Sequence, residues 1–193
     1  MSGFNNRLAR GVEFEREVEA YCQTHSIAVA RNGTEHTHPD FVAQLRSRND
    51  EQSKFIRFAP DGVCLIESAG VIHWEAKYSN NLEKDAYETY LKYSDMGCKV
   101  YIFFKHPKTY EVYSSEVLSI GFVPSESVVS VYPVARRHPI CEEDWIWPRL
   151  GFGHKSSAAS GTPYREVDFQ SLKHITDFYA RINDVMEVSY QVV

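Results

Sequence analysis

The sequence predicts a mixed α/β fold, a sheet of parallel and antiparallel strands with helices packed on its faces. Three observations predict it. A run with helical period opens the chain, two strand-like runs joined by a tight turn follow, and a second helical run leads into a near-continuous apolar strand. An order of helix, strands, helix, strand puts helices over a sheet rather than in a bundle. The 193 residues suit one domain with one hydrophobic core, here a core of about residues 8–120 and a C-terminal elaboration of about residues 121–193.

Leu8 to Cys22 carries the clearest helical period. Tyr21, Phe14, Val18, Gly11, Cys22, Leu8 and Val12 sweep one arc that should face the core, with Glu13 and Glu17 on the wet side. Glu15 falls inside that arc and Glu19 near its edge, and a carboxylate at a core-facing position needs a reason, because burying an unpaired charge is expensive. After the Arg31-Asn32-Gly33 turn signal, Asp40 to Leu45 reads as a short strand and Arg46 to Lys54 as a polar loop. Phe55 to Phe58 reads as strand-like. Asp61 to Ile66 and Val71 to Tyr78 then form a hairpin across the turn Glu67 to Gly70. Asn80 or Asn81 can cap a helix that runs to Met96 with Gly97 as its C′ residue, and Leu82, Ala86, Tyr90 and Tyr93 recur on one face. Lys99 to Phe104 has the apolar character of a strand covered on both sides. Two further strands are expected at Tyr110 to Leu118 and Ser127 to Val134. The aromatic segment Trp145-Ile146-Trp147-Pro148 and the small-residue stretch Gly151 to Gly161 then lead to a helix from about Asp168 to Val185.

Composition narrows the classes of function. No stretch is apolar for long enough to cross a bilayer, and Met1 to Arg10 lacks the apolar centre of a signal peptide, so a cytoplasmic protein is expected. Cys22, Cys64, Cys98 and Cys141 form no C-x-x-C pair, which argues against a disulfide framework or a zinc knuckle. A formal net charge of −5 argues against a protein that coats DNA, since such affinity comes largely from neutralised phosphates. Carboxylates gathered to hold a cation would add negative charge that the ion offsets when bound.

The chemistry-bearing residues lie in the hairpin. On an extended strand alternate side chains share a face, so His73, Glu75 and Lys77 point one way and Ile72, Trp74, Ala76 and Tyr78 the other. Asp61 on the preceding strand can lie beside Glu75. Two carboxylates, the Ala76 carbonyl between Glu75 and Lys77, and water make an all-oxygen set of the kind Mg²⁺ prefers. Register decides the matter. Any even-length turn centred on Ser68-Ala69 would set Asp61 opposite Ala76 and face it away from Glu75, so an odd-length turn or a bulge is required.

At these residues the chain resembles the PD-(D/E)xK (restriction-endonuclease-like) nuclease superfamily, including Holliday-junction-resolvase-like and repair nucleases. Pro60-Asp61 matches the PD element and Glu75-Ala76-Lys77 the ExK element. The helical glutamate upstream is Glu15 in Gly11-Val12-Glu13-Phe14-Glu15, and the apolar strand after ExK is Gly97 to Phe104. The resemblance covers roughly the first half of the chain. It implies a restriction-endonuclease-like core and Mg²⁺-dependent cleavage of DNA, with Mn²⁺ able to substitute. Asp61, Glu75, the Ala76 carbonyl and Glu15 would hold the metal, Glu15 through water or directly. Lys77 would orient or help deprotonate the attacking water and screen the phosphate. A homodimer, in which two active sites serve two strands, is a further implication. The form of DNA is left open.

Other readings compete. Glu15 could be a helix-edge carboxylate paired with Arg16 or Arg31, and Glu75 with Lys77 a surface ion pair. Pro39-Asp40 is a second Pro-Asp, and His36, His38 and Asp40 form an H-x-H-x-D string that could ligate a transition metal in a different hydrolase. A nucleic-acid-binding protein that kept the fold without cutting is the third. Arg136-Arg137 and Lys155 are candidate phosphate contacts, balanced against an ordinary solvated loop.

Overall fold

The computed structural model describes residues 3–32, 38–48, 50–66, 69–131, 136–137, 145–147, 163–178 and 180. Helix α1 (Gly3–Thr24) is followed by β1 (Ala28–Arg31), α2 (Pro39–Arg46), α3 (Glu51–Arg57) and the hairpin of β2 (Gly62–Ile66) and β3 (Gly70–Lys77). Next come β4 (Asn81–Glu83), α4 (Lys84–Asp95), β5 (Lys99–Lys105), β6 (Val112–Glu116) and α5 (Ser125–Val131). The short strands β7 (Arg136–Arg137), β8 (Ile146–Trp147), β9 (Tyr164–Glu166) and β10 (Lys173–His174) complete the order.

Six strands form a mixed sheet in the order β1-β2-β3-β5-β6-β10. Its pairings are antiparallel except β3 with β5, which run parallel because α4 carries the chain back between them. The mixed α/β architecture read from the sequence is therefore the one observed. Strand β5 is apolar on both faces for a visible reason. Phe103 packs with Phe14, Val18 and Cys22 of α1 and with Ile72 and Trp74 of β3, while Val100, Ile102 and Phe104 pack with Leu82 and with Ala86 and Tyr90 of α4. Helix α1 thus lies with the Trp74 face of the sheet and α4 with the opposite one. Gly97 ends α4 in the left-handed region at φ 86°, the conformation a C′ glycine supplies without a Cβ clash.

Several expected elements take a different form. Asp40 to Leu45 belongs to α2, not to a strand: Pro39 stands at the start and Asp40 in the first turn, where a missing N–H and a negative charge both favour a helix. The expected loop and the strand-like Phe55 to Phe58 are largely α3, because Asp50 caps it, accepting from Ser53 N at 2.9 Å and Ser53 Oγ at 2.8 Å. The helix expected from Asn80 or Asn81 begins only at Lys84, since Asn81–Glu83 pairs with Tyr164–Glu166, a partner far away in the chain. Ser127 to Val131 is helical, following Pro124, whose carbonyl accepts from Ser127 N at 3.0 Å; residues 132–134 lie outside the described residues. In place of the start of the Asp168 to Val185 helix there is a 3-10 turn at Phe169–Ser171, capped by Asp168, and then β10. Thr176–Phe178 is helical, and beyond it only residue 180 is described.

Strands β4, β9, β8 and β7 form a second, smaller sheet in that order. The elaboration therefore returns to the core at β4, directly between the ExK strand and α4.

Candidate active site

The hairpin register brings the predicted residues together. Gly62 pairs with Trp74 and Ile66 with Gly70, so three residues, 67–69, separate the strands and the turn has odd length. One step beyond Gly62, Asp61 stands across from Glu75. Where the backbone ladder stops, the side chains continue it: Ala76 N–H donates to Asp61 Oδ2 at 2.9 Å and Asp61 N–H donates to Glu75 Oε2 at 3.2 Å. Asp61 is also tied to β1, its carbonyl accepting from Asn32 N at 2.8 Å. A Cβ on Gly62 would lie 2.5 Å from both the Ala30 carbonyl oxygen and the Trp74 ring, so only glycine leaves room for the indole against the strand next to Asp61.

Glu75 is 5% exposed, and its Oε1 is 2.5 Å from Lys77 Nζ, so Glu75 and Lys77 form a largely sequestered ion pair rather than a solvated surface pair. Burial, then the charge of Glu75, raises the Asp61 carboxyl well above its ordinary value, against the pull of Lys77 and the Ala76 N–H. Burial lowers the Lys77 pKa, but the charges of Glu75 and Asp61, the hydrogen bond to Glu75 and the charge of Glu83 together raise it, so the amine stays an ammonium. The balance describes two carboxylates crowded at a sheet rim with one cation between them. Their donor atoms are all oxygen, and repulsion between them is what a small hard cation relieves, so the pair fits such an ion with water completing its shell.

Glu15 arrives differently. It is buried, 8% exposed, as its place inside the α1 arc predicts, and its charge reaches Asp61. Its Oε2 lies 3.5 Å from Arg31 Nη1, and Arg31 is held mainly by Glu19, at 2.6 Å and 3.0 Å. The Arg31 alternative thus has a contact in the structure. Helix α1 covers the Trp74 face whereas Glu75 looks to the other, and Glu15 does not complete a three-carboxylate group with Asp61 and Glu75. Among the described residues no group of three or more His, Cys, Asp or Glu side chains is arranged to hold a metal ion. That statement also bears on the competing string. His38 and Asp40 are exposed at the start of α2, and His36 lies outside the described residues, as do Cys141 and Lys155. His73 shares the Glu75 face but packs against Tyr93, ring centroids 5.0 Å apart, where burial lowers its pKa.

One participant was missed. Tyr90 of α4, 1% exposed, lies close enough to Glu75 and Asp61 for their charges to act on its phenol. Burial, then the charges of Glu75 and Asp61, hold its pKa well above the ordinary phenol value, so it remains a donor. In the sequence Tyr90 reads as one more core residue beside Leu82 and Ala86. The available signal was the hydroxyl, which needs a partner wherever a tyrosine sits in a buried file.

No protein-family model matches the chain, and no curated protein matches it in sequence. Among solved structures it is similar to Hjc, a Holliday junction resolvase from the archaeal hyperthermophile Archaeoglobus fulgidus, at 12% identity and a TM-score of 0.47, over 89% of this chain and 96% of that one. It is also similar to D212, a nuclease from a fusselovirus, at 9% identity and a TM-score of 0.44, over 98% of this chain and 97% of that one. With likenesses of this size, the mixed α/β description rests on the strand order and register given above. No described helix is long and apolar enough to cross a membrane.

Proposed function

We propose that this chain is a divalent-metal-dependent deoxyribonuclease with a restriction-endonuclease-like core, cutting within DNA strands. The observation that carries the reading is the odd-length hairpin turn, which sets Asp61 across from Glu75 with the Lys77 ammonium on the same carboxylate. Asp61, Glu75 and the Ala76 carbonyl would hold Mg²⁺, which Mn²⁺ could replace, with Glu15 contributing through water. When bound, the ion supplies positive charge for the phosphoryl oxygens and lowers the pKa of a coordinated water.

The protein groups divide the remaining work. Lys77 stays protonated beside Glu75 and Asp61, so its part is to orient the attacking water and screen the phosphate, not to accept a proton. Asp61 is held by the Ala76 N–H and Glu75 by the Asp61 N–H, which keeps both carboxylates at fixed positions along the two strands. The same reading makes a homodimer on duplex or branched DNA a natural arrangement, to be tested by mass measurement of the free protein.

The decisive assay incubates the pure protein with circular, linear, branched and single-stranded DNA, first with Mg²⁺ and then with excess chelator, beside a Lys77→Ala control. Cutting is expected with Mg²⁺ only, and only by the unsubstituted chain. Equal cutting by the control would mean that the signal came from a contaminant.

A further inference from the structure

Arg10, Phe14 and Glu17 recur at helical spacing and so share one stripe of α1. The stripe meets the sheet at Tyr78, the residue after Lys77, whose ring packs edge-on against Phe14 with centroids 6.3 Å apart. Two cations lie over that one ring: the Arg10 guanidinium carbon and Lys105 Nζ are each 5.8 Å from its centre, within cation–π range. They are not equivalent. Lys105 is largely buried, lies 5.5 Å from the centre of the Phe14 ring and pairs with Glu17, so its charge and that of the carboxylate neutralise each other. Arg10 is exposed, and contact with a ring face leaves the N–H groups in the guanidinium plane able to donate outward. The cluster therefore presents the charge of Arg10, held in place by an aromatic seat.

Its position gives that charge a use. Strands β3 and β5 run parallel and end together at Lys77 and Lys105, so the cluster stands at their carboxyl ends, the side of an open α/β sheet where ligands bind. Lys77 pairs with Glu75 on one side of this rim, while Tyr78 packs on α1 at the other. We propose that Arg10, seated on Tyr78, contacts a backbone phosphate of the DNA strand as it crosses the rim beside Asp61 and Glu75. The inference rests on the reading of that rim as a nuclease site. Arg10 supplies affinity and orientation without reading bases, and Tyr78 is its positioning residue. A chain of net charge −5 thereby approaches DNA through positive charge placed locally at the site.

The test measures binding of the full chain to a fluorescein-labelled DNA oligonucleotide, single-stranded and duplex, by fluorescence anisotropy over a salt series. Chelator is present so that the DNA stays uncut. The variants are Arg10→Gln, Tyr78→Leu and Tyr78→Phe, with Lys173→Gln, at an exposed lysine of β10 on the far edge of the sheet, as the charge-matched control. Glutamine keeps helix propensity at the exposed position 10, and circular dichroism establishes that each variant is folded. Arg10→Gln is expected to bind about tenfold more weakly. Its slope of log affinity against log salt should drop by about 0.9 on the duplex or about 0.7 on the single strand, the loss of one phosphate contact. Tyr78→Leu should weaken binding about two- to fivefold with the slope unchanged, because the charge remains and only its seat is gone, and Tyr78→Phe should match the parent. Tyr78→Leu binding like the parent would overturn the seat; should that variant unfold, Arg10→Gln alone decides. An affinity and slope of Arg10→Gln equal to the parent's, or a loss equalled by Lys173→Gln, would overturn the phosphate contact while the parent's binding keeps the nuclease reading standing. A parent chain that binds no DNA would instead remove the nuclease reading itself, and the role of Arg10 with it.

Discussion

Asp61 and Glu75 meet where the β2–β3 backbone ladder ends, and each depends on the other's strand: Asp61 N–H donates to the Glu75 carboxylate, and the N–H that follows Glu75 donates to the Asp61 carboxylate. Two acidic groups are thereby held close by main-chain N–H groups, with the Lys77 ammonium on Glu75, an arrangement that costs stability unless a further proton or cation relieves it.

The Asp61 proton should therefore be visible in stability. A carboxyl whose folded-state pKa lies above its ordinary value of 3.8 favours the folded state at low pH, and that contribution is lost as pH rises through the folded value. Without divalent cations, the melting temperature is expected to fall over that window in the parent chain and to lose this component in Asp61→Asn. Mg²⁺ should restore stability above the window in the parent only. A pH dependence identical in both proteins would show that Asp61 is not the group responsible.

Lys77 separates charge neutralisation from metal holding. Lys77→Ala should reduce cleavage by about 100-fold or more, since it removes charge aimed at the developing phosphoryl negative charge. Mn²⁺ binding should survive, because no proposed ligand is removed. The variant also leaves Glu75 buried without its ammonium, and a loss of roughly 1–3 kcal/mol in urea unfolding is expected, partly recovered by Mg²⁺.

Glu15 decides between two roles. If it holds the cation through water, Glu15→Gln weakens Mn²⁺ binding while Arg31→Ala leaves it nearly intact. If its work is to pair with Arg31, the two substitutions destabilise the fold without touching Mn²⁺ affinity, and their effects on stability are not additive. The first outcome is expected.

Gly62 is predicted to be intolerant of any side chain. The Cβ of Gly62→Ala would meet the Ala30 carbonyl and the buried Trp74 ring at 2.5 Å, and neither can withdraw easily, one being backbone and the other core. A destabilisation of about 1–3 kcal/mol should follow, with altered Trp74 fluorescence. Replacing His36 and His38 with alanine should, in contrast, leave cleavage intact, whereas Glu75→Ala should abolish it.

Local sequence was enough for α1 and its buried Glu15, for the β2–β3 hairpin, for the two-faced apolar strand β5 and for Gly97, because periodicity, alternation and a glycine stop are properties of neighbouring residues. It also required the odd turn without being able to produce it, since turn parity is settled by which face of β3 is buried against α1. Three features belonged to the tertiary structure alone. Strand β4 exists because residues 164–166 supply its partner from far along the chain, α1 packs on the Trp74 face of β3, and Tyr90 of α4 is buried where the charges of Glu75 and Asp61 reach it. In each case the deciding contact joins residues that no local pattern links, so its energy appears only once the chain has folded.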